Sequence, residues 1–558
     1  MSFLESWRLT ISTLSPVHIG CGQDYDPTQY VIENDTLYEF EAGAALAVLS
    51  AQDRVQLLEI VNNPANDQML RQVQTFFYQR RQALIPTASR RVPVGPQMAA
   101  FYQKRVGKTV QVEGDGSQLL NRLEIERTFF NPGDGVPVLP GSSLKGAIRT
   151  ALLDEVNNGR PLSPEERALA ERGKEEANRR LQKRLFQYRE FEQDPMRLVQ
   201  LTDAPFADVK GVGSELCFAV NRRRKPPKPG ERSSQSQAEQ RGLYQLLECV
   251  PAARFRAFGG SLNIHCLEGI TDNRNRLPVD NLRWSVSDIA AACNRYYRPR
   301  LEREIEQMQE RAYLDERWAA AIRQLLDGAI GARLDRNEAF LLRVGRHSGA
   351  ESVTLDGVRS IKILLGKDPE TKKMRFENRP TGTGWWLAAR EILARTALLP
   401  FGWLLVELKP VRGADEFEKW SEVEDKLNAL KTEYAAWLER DRQRIQQQAD
   451  MEQQRQVEEV ARQQAVEAEA ALTPEQKMIS ELRRWFDQDR AIKRKEPGGR
   501  ITNRLNELLK LGLSWPVSER EELAKLAEAI HGYLDWGSGK KKQERKAKIQ
   551  KLREGVNP

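Results

Sequence analysis

Hydrophobic and polar positions alternate from the first residues of the chain. In "WRLTIS", Trp7, Leu9 and Ile11 face one way and Arg8, Thr10 and Ser12 the other, the period of a half-buried strand. "QYVIENDTLYEF" (29–40) holds two β-rich runs around Asn34-Asp35 and predicts a hairpin. Residues 43–83 switch to a helical pattern. "FFNPGDGVPVLP" (129–140) is a Gly- and Pro-rich loop that delivers the chain into "GSSLKGAIRTALL". There Leu144, Ile148 and Leu152 recur every fourth residue beside Ala147 and Ala151, an apolar stripe for a core. Lys145 and Arg149 fall on a flanking face of the same helix.

Residues 160–200 read as a charged helical insertion. The stretch 221–242, "NRRRKPPKPGERSSQSQAEQRG", reads as a mobile loop. Further strands are predicted in "LYQLLECV", "ARFRAFGGSLNIHCLEGI", "AFLLRVGRHSG" and "LPFGWLLVELKP", with helix over 286–330. Residues 1–410 are therefore expected to form one mixed α+β domain. From 411 to 472 the pattern is helical but too poor in apolar residues for a coiled-coil seam, which predicts a long solvated linker helix. Thr473, Pro474 and Glu475 then start a new helix as N-cap, first residue and first-turn acid. Residues 473–536 are expected to be a small helical domain and 537–558 a basic tail.

Composition changes this picture only modestly. The chain has 558 residues and a formal charge of +8, which favours an anionic partner without identifying one. Five scattered cysteines with no CxxC pair argue for reduced thiols. No secretory leader or membrane span is legible, so a cytoplasmic protein without a membrane partner is expected.

Candidate chemistry centres on three glycine-bearing loops. At the first, Gly141, Ser142, Ser143, Lys145, Gly146 and Arg149 open a helix whose free N–H groups and dipole suit an anion. The bland alternative is a capped helix with solvated charges. Ser142 to Lys145 also fits SxxK, but the companion motifs of a serine acylase are absent; Thr271-Asp272-Asn273 and Thr381-Gly382-Thr383-Gly384 fit poorly. A P-loop fails because Leu144, not glycine, precedes Lys145. The second loop, "SPVHIGCGQDYDP", carries His18, Gly20, Gly22, Asp24 and Asp26. The third, "RVGRHSGAESVTLDG", carries Arg343, Gly345, Arg346, His347 and Gly349. The run Arg222, Arg223, Arg224, Lys225 and Lys228 adds charge without an acid. The four histidines (His18, His265, His347, His531) form no metal-ligand spacing, and no cofactor is expected.

Together these segments resemble the RAMP superfamily, the RNA-binding subunits of type III CRISPR effector complexes. "LSPVHIGCGQDYDPTQYVIENDTLYEF" resembles its N-terminal signature and "VLPGSSLKGAIRTALL" its Pro-Gly-Ser-Ser-Leu-Lys-Gly helix. "LVQLTDAPF" and "PFGWLLVEL" are weaker fits. The resemblance covers residues 5–410 and is most like the capping and insertion-bearing backbone subunits of Csm complexes. It implies a ferredoxin-like, RRM-related core with helical insertions, to which the long helix and small all-α domain are added. It implies crRNA, target RNA and other effector subunits as partners. Carried onto this chain, Gly141, Ser142, Ser143, Lys145, Gly146 and Arg149 would contact guide phosphates, with His18, Gly20 and Gly22 lining the same groove. Some members cleave target RNA with a loop aspartate and divalent metal, for which Asp24 or Asp26 and Mg2+ would serve. A protein-only scaffold organised by the long helix is the alternative of another class.

Overall fold

The computed structural model describes residues 3–62, 67–108, 111–112, 118–119, 123–172, 174–208, 211–225, 239, 242–268, 270, 276–368, 370–371, 373–412, 416–431 and 434–555. It divides into two compact units, Met1–Glu439 and Arg440–Pro558.

The first unit is built on two five-stranded sheets. Their strands, in chain order, are β1 (Leu4–Thr13), β2 (Gly20–Tyr25), β3 (Ile125–Thr128), β4 (Val199–Leu201), β5 (Glu215–Arg223), β6 (Tyr244–Cys249), β7 (Arg254–His265), β8 (Ala339–Arg343), β9 (Gly384–Ala389) and β10 (Trp403–Pro410). The first sheet runs β4-β7-β1-β10-β8 and the second β9-β5-β6-β3-β2. Every pairing in the first sheet is antiparallel. Its first four strands, taken as the second, third, first and fourth of a βαββαβ chain, reproduce the ferredoxin-like order, with β8 added at one edge. The two helices of that unit are α1 (Gly141–Asn157) and α2 (Val286–Glu310). They pack on each other: Tyr297 of α2 donates its hydroxyl to the Ala147 carbonyl of α1 at 3.0 Å.

The amphipathic readings hold at the residues that carried them. Leu9 and Ile11 are buried in β1, and Leu144, Ile148 and Leu152 are buried on α1. The hairpin forms as Tyr30–Glu33 against Thr36–Glu39, with Asn34 at φ 54°, a conformation asparagine tolerates. The charged insertion folds as helices Pro164–Arg172 and Lys174–Leu185. Among the strands that escaped the sequence reading are β2, β3, β4, β5, β9, Ile361–Lys367 and Met374–Arg379; the last two form a hairpin with mostly exposed side chains, so no burial period marks it.

The first unit continues past residue 410. Helix Ser421–Leu430 buries Val423 and Leu427, and Trp420 before it, in the same core. Trp437 then donates its indole N–H to Thr36 Oγ1 at 2.9 Å, and the Tyr434 hydroxyl meets the half-buried Glu215 carboxylate.

In the second unit, the greater part of α3 (Ala435–Ala471) is followed by α4 (Pro474–Ala491), α5 (Arg500–Leu511), α6 (Val517–Leu534) and α7 (Lys540–Glu554). Thr473 caps α4 as expected, accepting from the Gln476 N–H at 3.2 Å. Leu482, Leu505, Leu508, Leu523 and Ile530 form a core of their own. The expected basic tail is largely helical, and Ile549 and Leu552 of α7 join that core.

Candidate nucleic-acid interface

Two of the three glycine loops interlock at one end of the first sheet, where β1 and β8 finish and β10 begins. The Arg346 N–H donates to the His18 carbonyl at 2.8 Å, and the Gly402 N–H to the Pro16 carbonyl at 2.8 Å. Gly345, at φ 81°, lies against the His18 carbonyl, where a Cβ would sit well inside contact distance. Glycine is required there for both backbone conformation and space.

His18 is fully buried, which corrects its expected place on an open groove. Its Nδ1 donates to the Glu248 carbonyl at 2.7 Å, leaving Nε2 buried and unpartnered, 4.0 Å from Glu126. Burial lowers its pKa, so the neutral imidazole holds the two loops together. Glu248 itself is buried and anchors Arg90 at 2.5 Å, the Ser214 hydroxyl at 2.6 Å and the Thr128 N–H at 3.3 Å. Gly20 and Gly22 are exposed on β2; Gly22 has φ 76° and open space around it. Arg346 is exposed and pairs with Glu126.

Asp24 lies within β2, opposite Glu126 of β3, rather than in a loop. Asp26 follows in a turn closed by its own carbonyl and the Gln29 N–H at 2.8 Å. Both are exposed on a cleft of about 910 Å³ that also holds Glu39, Glu41, Asp134, Arg90 and Arg127. Arg127 pairs with Glu39 at 2.6 Å. Among the described residues, no group of three or more His, Cys, Asp or Glu could hold a metal ion.

At the α1 loop the six expected contacts separate. The Gly141 N–H is taken by Asp203 at 2.7 Å, and Gly141 is buried against the Leu201 carbonyl, 2.6 Å from where a Cβ would be. Arg149 is committed to Asp194 at 2.9 Å and to Gln182 at 3.0 Å. Neither is open to a phosphate, because internal carboxylates already occupy them. Ser142 and Gly146 are exposed, and Ser143 and Lys145 half-buried. Lys145 has no ion pair among the described residues, and desolvation lowers its pKa.

The third group divides too. Arg222 and Arg223 belong to β5, not to a mobile loop; Arg222 is buried and donates to the Ile392 and Ala394 carbonyls at 2.9 and 3.0 Å. Arg343 is likewise buried, bonded to the Phe401 carbonyl at 2.9 Å and paired with Glu304 at 3.1 Å. His347 donates its Nε2–H to Gln245 Oε1 at 2.7 Å and stacks 5.1 Å from Trp386. Burial brings its pKa down to about 3, so it carries no charge near neutrality. Lys228 lies outside the described residues.

Arg223, Arg224, Lys225, Arg343 and His347 nevertheless share one cleft, of about 1070 Å³. Nine of its lining side chains are cationic and three anionic. The acids are spoken for: Glu304 by Arg343, Glu351 by Arg224, and Asp356 by Arg300 at 2.9 Å and Arg359 at 2.5 Å. Lys225 and Arg303 are exposed and have no ion pair among the described residues, and Lys362 rests 4.0 Å from the Phe376 ring centroid. The cleft therefore presents excess positive charge. Sequence reading missed Arg300, Arg303, Arg359 and Lys362. Arg300, Arg303 and Gln307 stand at three- and four-residue steps on α2, a one-face signal that could have been found.

Over 155 residues the chain is 24% identical to the CRISPR system Cms protein Csm5 of Streptococcus thermophilus. The match covers 27% of this chain and 38% of that protein, so the chain aligns to well under half of its length. Among solved structures it is similar to a chain of a type III-A Csm-crRNA-target RNA ternary complex, at 15% identity and TM-score 0.44, over 72% of this chain and all of that one. It is also similar to T. onnurineus Csm5, at 16% identity and TM-score 0.38, over 71% and 99% of the two chains. The RAMP superfamily model matches residues 10–336, more than half of the sequence, and the chain belongs to that superfamily.

Proposed function

We propose that the chain is a crRNA-binding subunit of a type III CRISPR effector of the Csm kind. It grips the guide backbone toward the 3′ end and helps position target RNA, in the cytoplasm and beside other effector subunits. The observation that carries this reading is the cleft of excess positive charge beside the glycine loop after β8. Its carboxylates are already paired, so Lys225, Arg303 and Lys362 remain for an external polyanion. Contacts of this kind hold a phosphodiester backbone and leave sequence to be read by base pairing. The partial likeness to a protein named Csm5 supports the same assignment.

The test is equilibrium binding of a repeat-containing RNA to the full chain and to a Lys225→Glu, Arg303→Glu, Lys362→Glu variant. At about 0.7 per released counterion on a single strand, the salt slope should fall by about 2 or more. An unchanged slope would remove the cleft from the binding surface.

A second reading, cleavage of target RNA, is favoured by Asp24 and Asp26 sharing the smaller cleft without an ion pair among the described residues. Mg2+ is held in many sites by one or two carboxylates together with substrate phosphates, and these two could supply such carboxylates. Metal-dependent cuts at fixed positions that vanish in Asp24→Ala or Asp26→Ala would establish it. Intact target RNA after prolonged incubation with Mg2+ would exclude it.

A further inference from the structure

The second unit carries a concentration of charge that its own fold does not use. Helix α7 has eight cations and two carboxylates between Lys540 and Glu554, and only Ile549 and Leu552 are buried. Lys540, Lys541, Lys542, Lys546, Lys548 and Lys551 are all exposed, and none has an ion pair among the described residues. Several of the unit's arginines behave otherwise. Arg483 pairs with Glu522, Arg484 with Glu469, Arg504 with Glu481 and Glu507, and Arg553 with Glu521 and Glu528. Glu521, Glu522 and Glu528 of α6 are paired with arginines, and the two carboxylates of α7 itself, Glu544 and Glu554, leave its lysines in excess.

Local helix energetics do not explain this arrangement. Three of the lysines occupy the first turn, with no acid there and no capping side chain on Gly539. Cations at a helix N-terminus oppose the macrodipole, so a helix selected for stability alone would place acids there. The charge is therefore suited to something outside the bundle.

We propose that the lysine face of α7 is a second RNA-binding surface, which takes a phosphodiester backbone without reading its sequence. Lysines supply flexible point charges that neutralise phosphates in many geometries. An anionic membrane is a poorer fit. An interfacial helix needs an apolar face to insert, and α7 exposes no large apolar residue, its two being packed in the core. This inference does not rest on the cleft of the first unit.

The experiment uses the full chain with Lys540, Lys541, Lys542, Lys546 and Lys551 all changed to Gln. Lys548 is left in place because its charge acts on His531. Binding of a 40-nucleotide single strand lacking any repeat sequence is measured between about 50 and 300 mM salt. The expected result is a slope lower by about 2 to 3 and affinity at low salt reduced at least tenfold. The matching Lys→Arg variant should bind like the parent, and the Gln variant should melt no lower than the parent. An unchanged slope overturns the proposal. So does a loss that the Arg variant shares, or binding to anionic vesicles that the Gln changes abolish while RNA binding survives. The Lys225, Arg303 and Lys362 variant separates the two surfaces, because it leaves α7 intact.

Discussion

Lys145 and Arg149 sit one turn apart on α1, yet only Arg149 is bonded to an internal carboxylate, and a paired substitution tests whether Lys145 is the one that serves RNA. Arg149 is 22% exposed and bonded to Asp194, whose side chain is 9% exposed. Changing Arg149 to Gln strands a nearly buried carboxylate. Breaking a fully buried pair costs about 3–5 kcal/mol, and this partly open one should cost about 2. Lys145 has no such partner among the described residues, so Lys145→Gln should leave stability within about 0.5 kcal/mol. For RNA the order reverses. Losing one phosphate contact should lower the salt slope by about 0.7 and affinity several-fold for Lys145→Gln, with the slope unchanged for Arg149→Gln. Urea unfolding and filter binding over a salt series on both proteins decide it. A lowered slope with intact stability for Arg149→Gln would show that Arg149, not Lys145, is the phosphate contact.

Three further outcomes follow from the same geometry. Gly345→Ala must force a Cβ against the His18 carbonyl at φ 81°, whereas Gly22→Ala meets only the φ penalty of about 1–2 kcal/mol; thermal melting should show a clearly larger loss for Gly345→Ala. Glu248→Ala leaves the Arg90 guanidinium without its buried partner and should destabilise the first unit by about 3–5 kcal/mol in a denaturant titration. His531 is buried, and desolvation, with the charges of Arg545 and Lys548, holds its pKa at about 4 against 6.5 in an open chain. Between those values the unfolded chain binds the proton and the folded one does not. Stability of the second unit is therefore full above pH 6.5 and falls by up to about 3 kcal/mol as pH drops to 4; His531→Gln should flatten that dependence.

Much of the fold was legible because it rests on periodic burial. The stripe of Leu144, Ile148 and Leu152 and the alternation through Leu9 and Ile11 are properties of sequence that packing only completes. The hairpin of Ile361–Lys367 and Met374–Arg379 was not legible, because its side chains are mostly exposed and impose no burial period. The site was legible at the level of segments and not of side chains. Two of the glycine loops do meet, through Gly345 and His18. Yet Gly141, Arg149, Arg222 and Arg343 are engaged by Asp203, Asp194, backbone carbonyls and Glu304. A cation's partner lies tens to hundreds of residues away in sequence, so a basic motif alone cannot say whether its charge is spent. Arg303 and Lys362 join Lys225 only through the fold, which brings a helix and a hairpin to one cleft.

The most direct measurement is recovery of this chain from its native host with the co-purified RNA sequenced. The expected result is a discrete set of RNAs carrying repeat-derived ends, depleted when Lys225, Arg303 and Lys362 are reversed in charge. Absence of RNA, or a random sample of cellular transcripts, would contradict it.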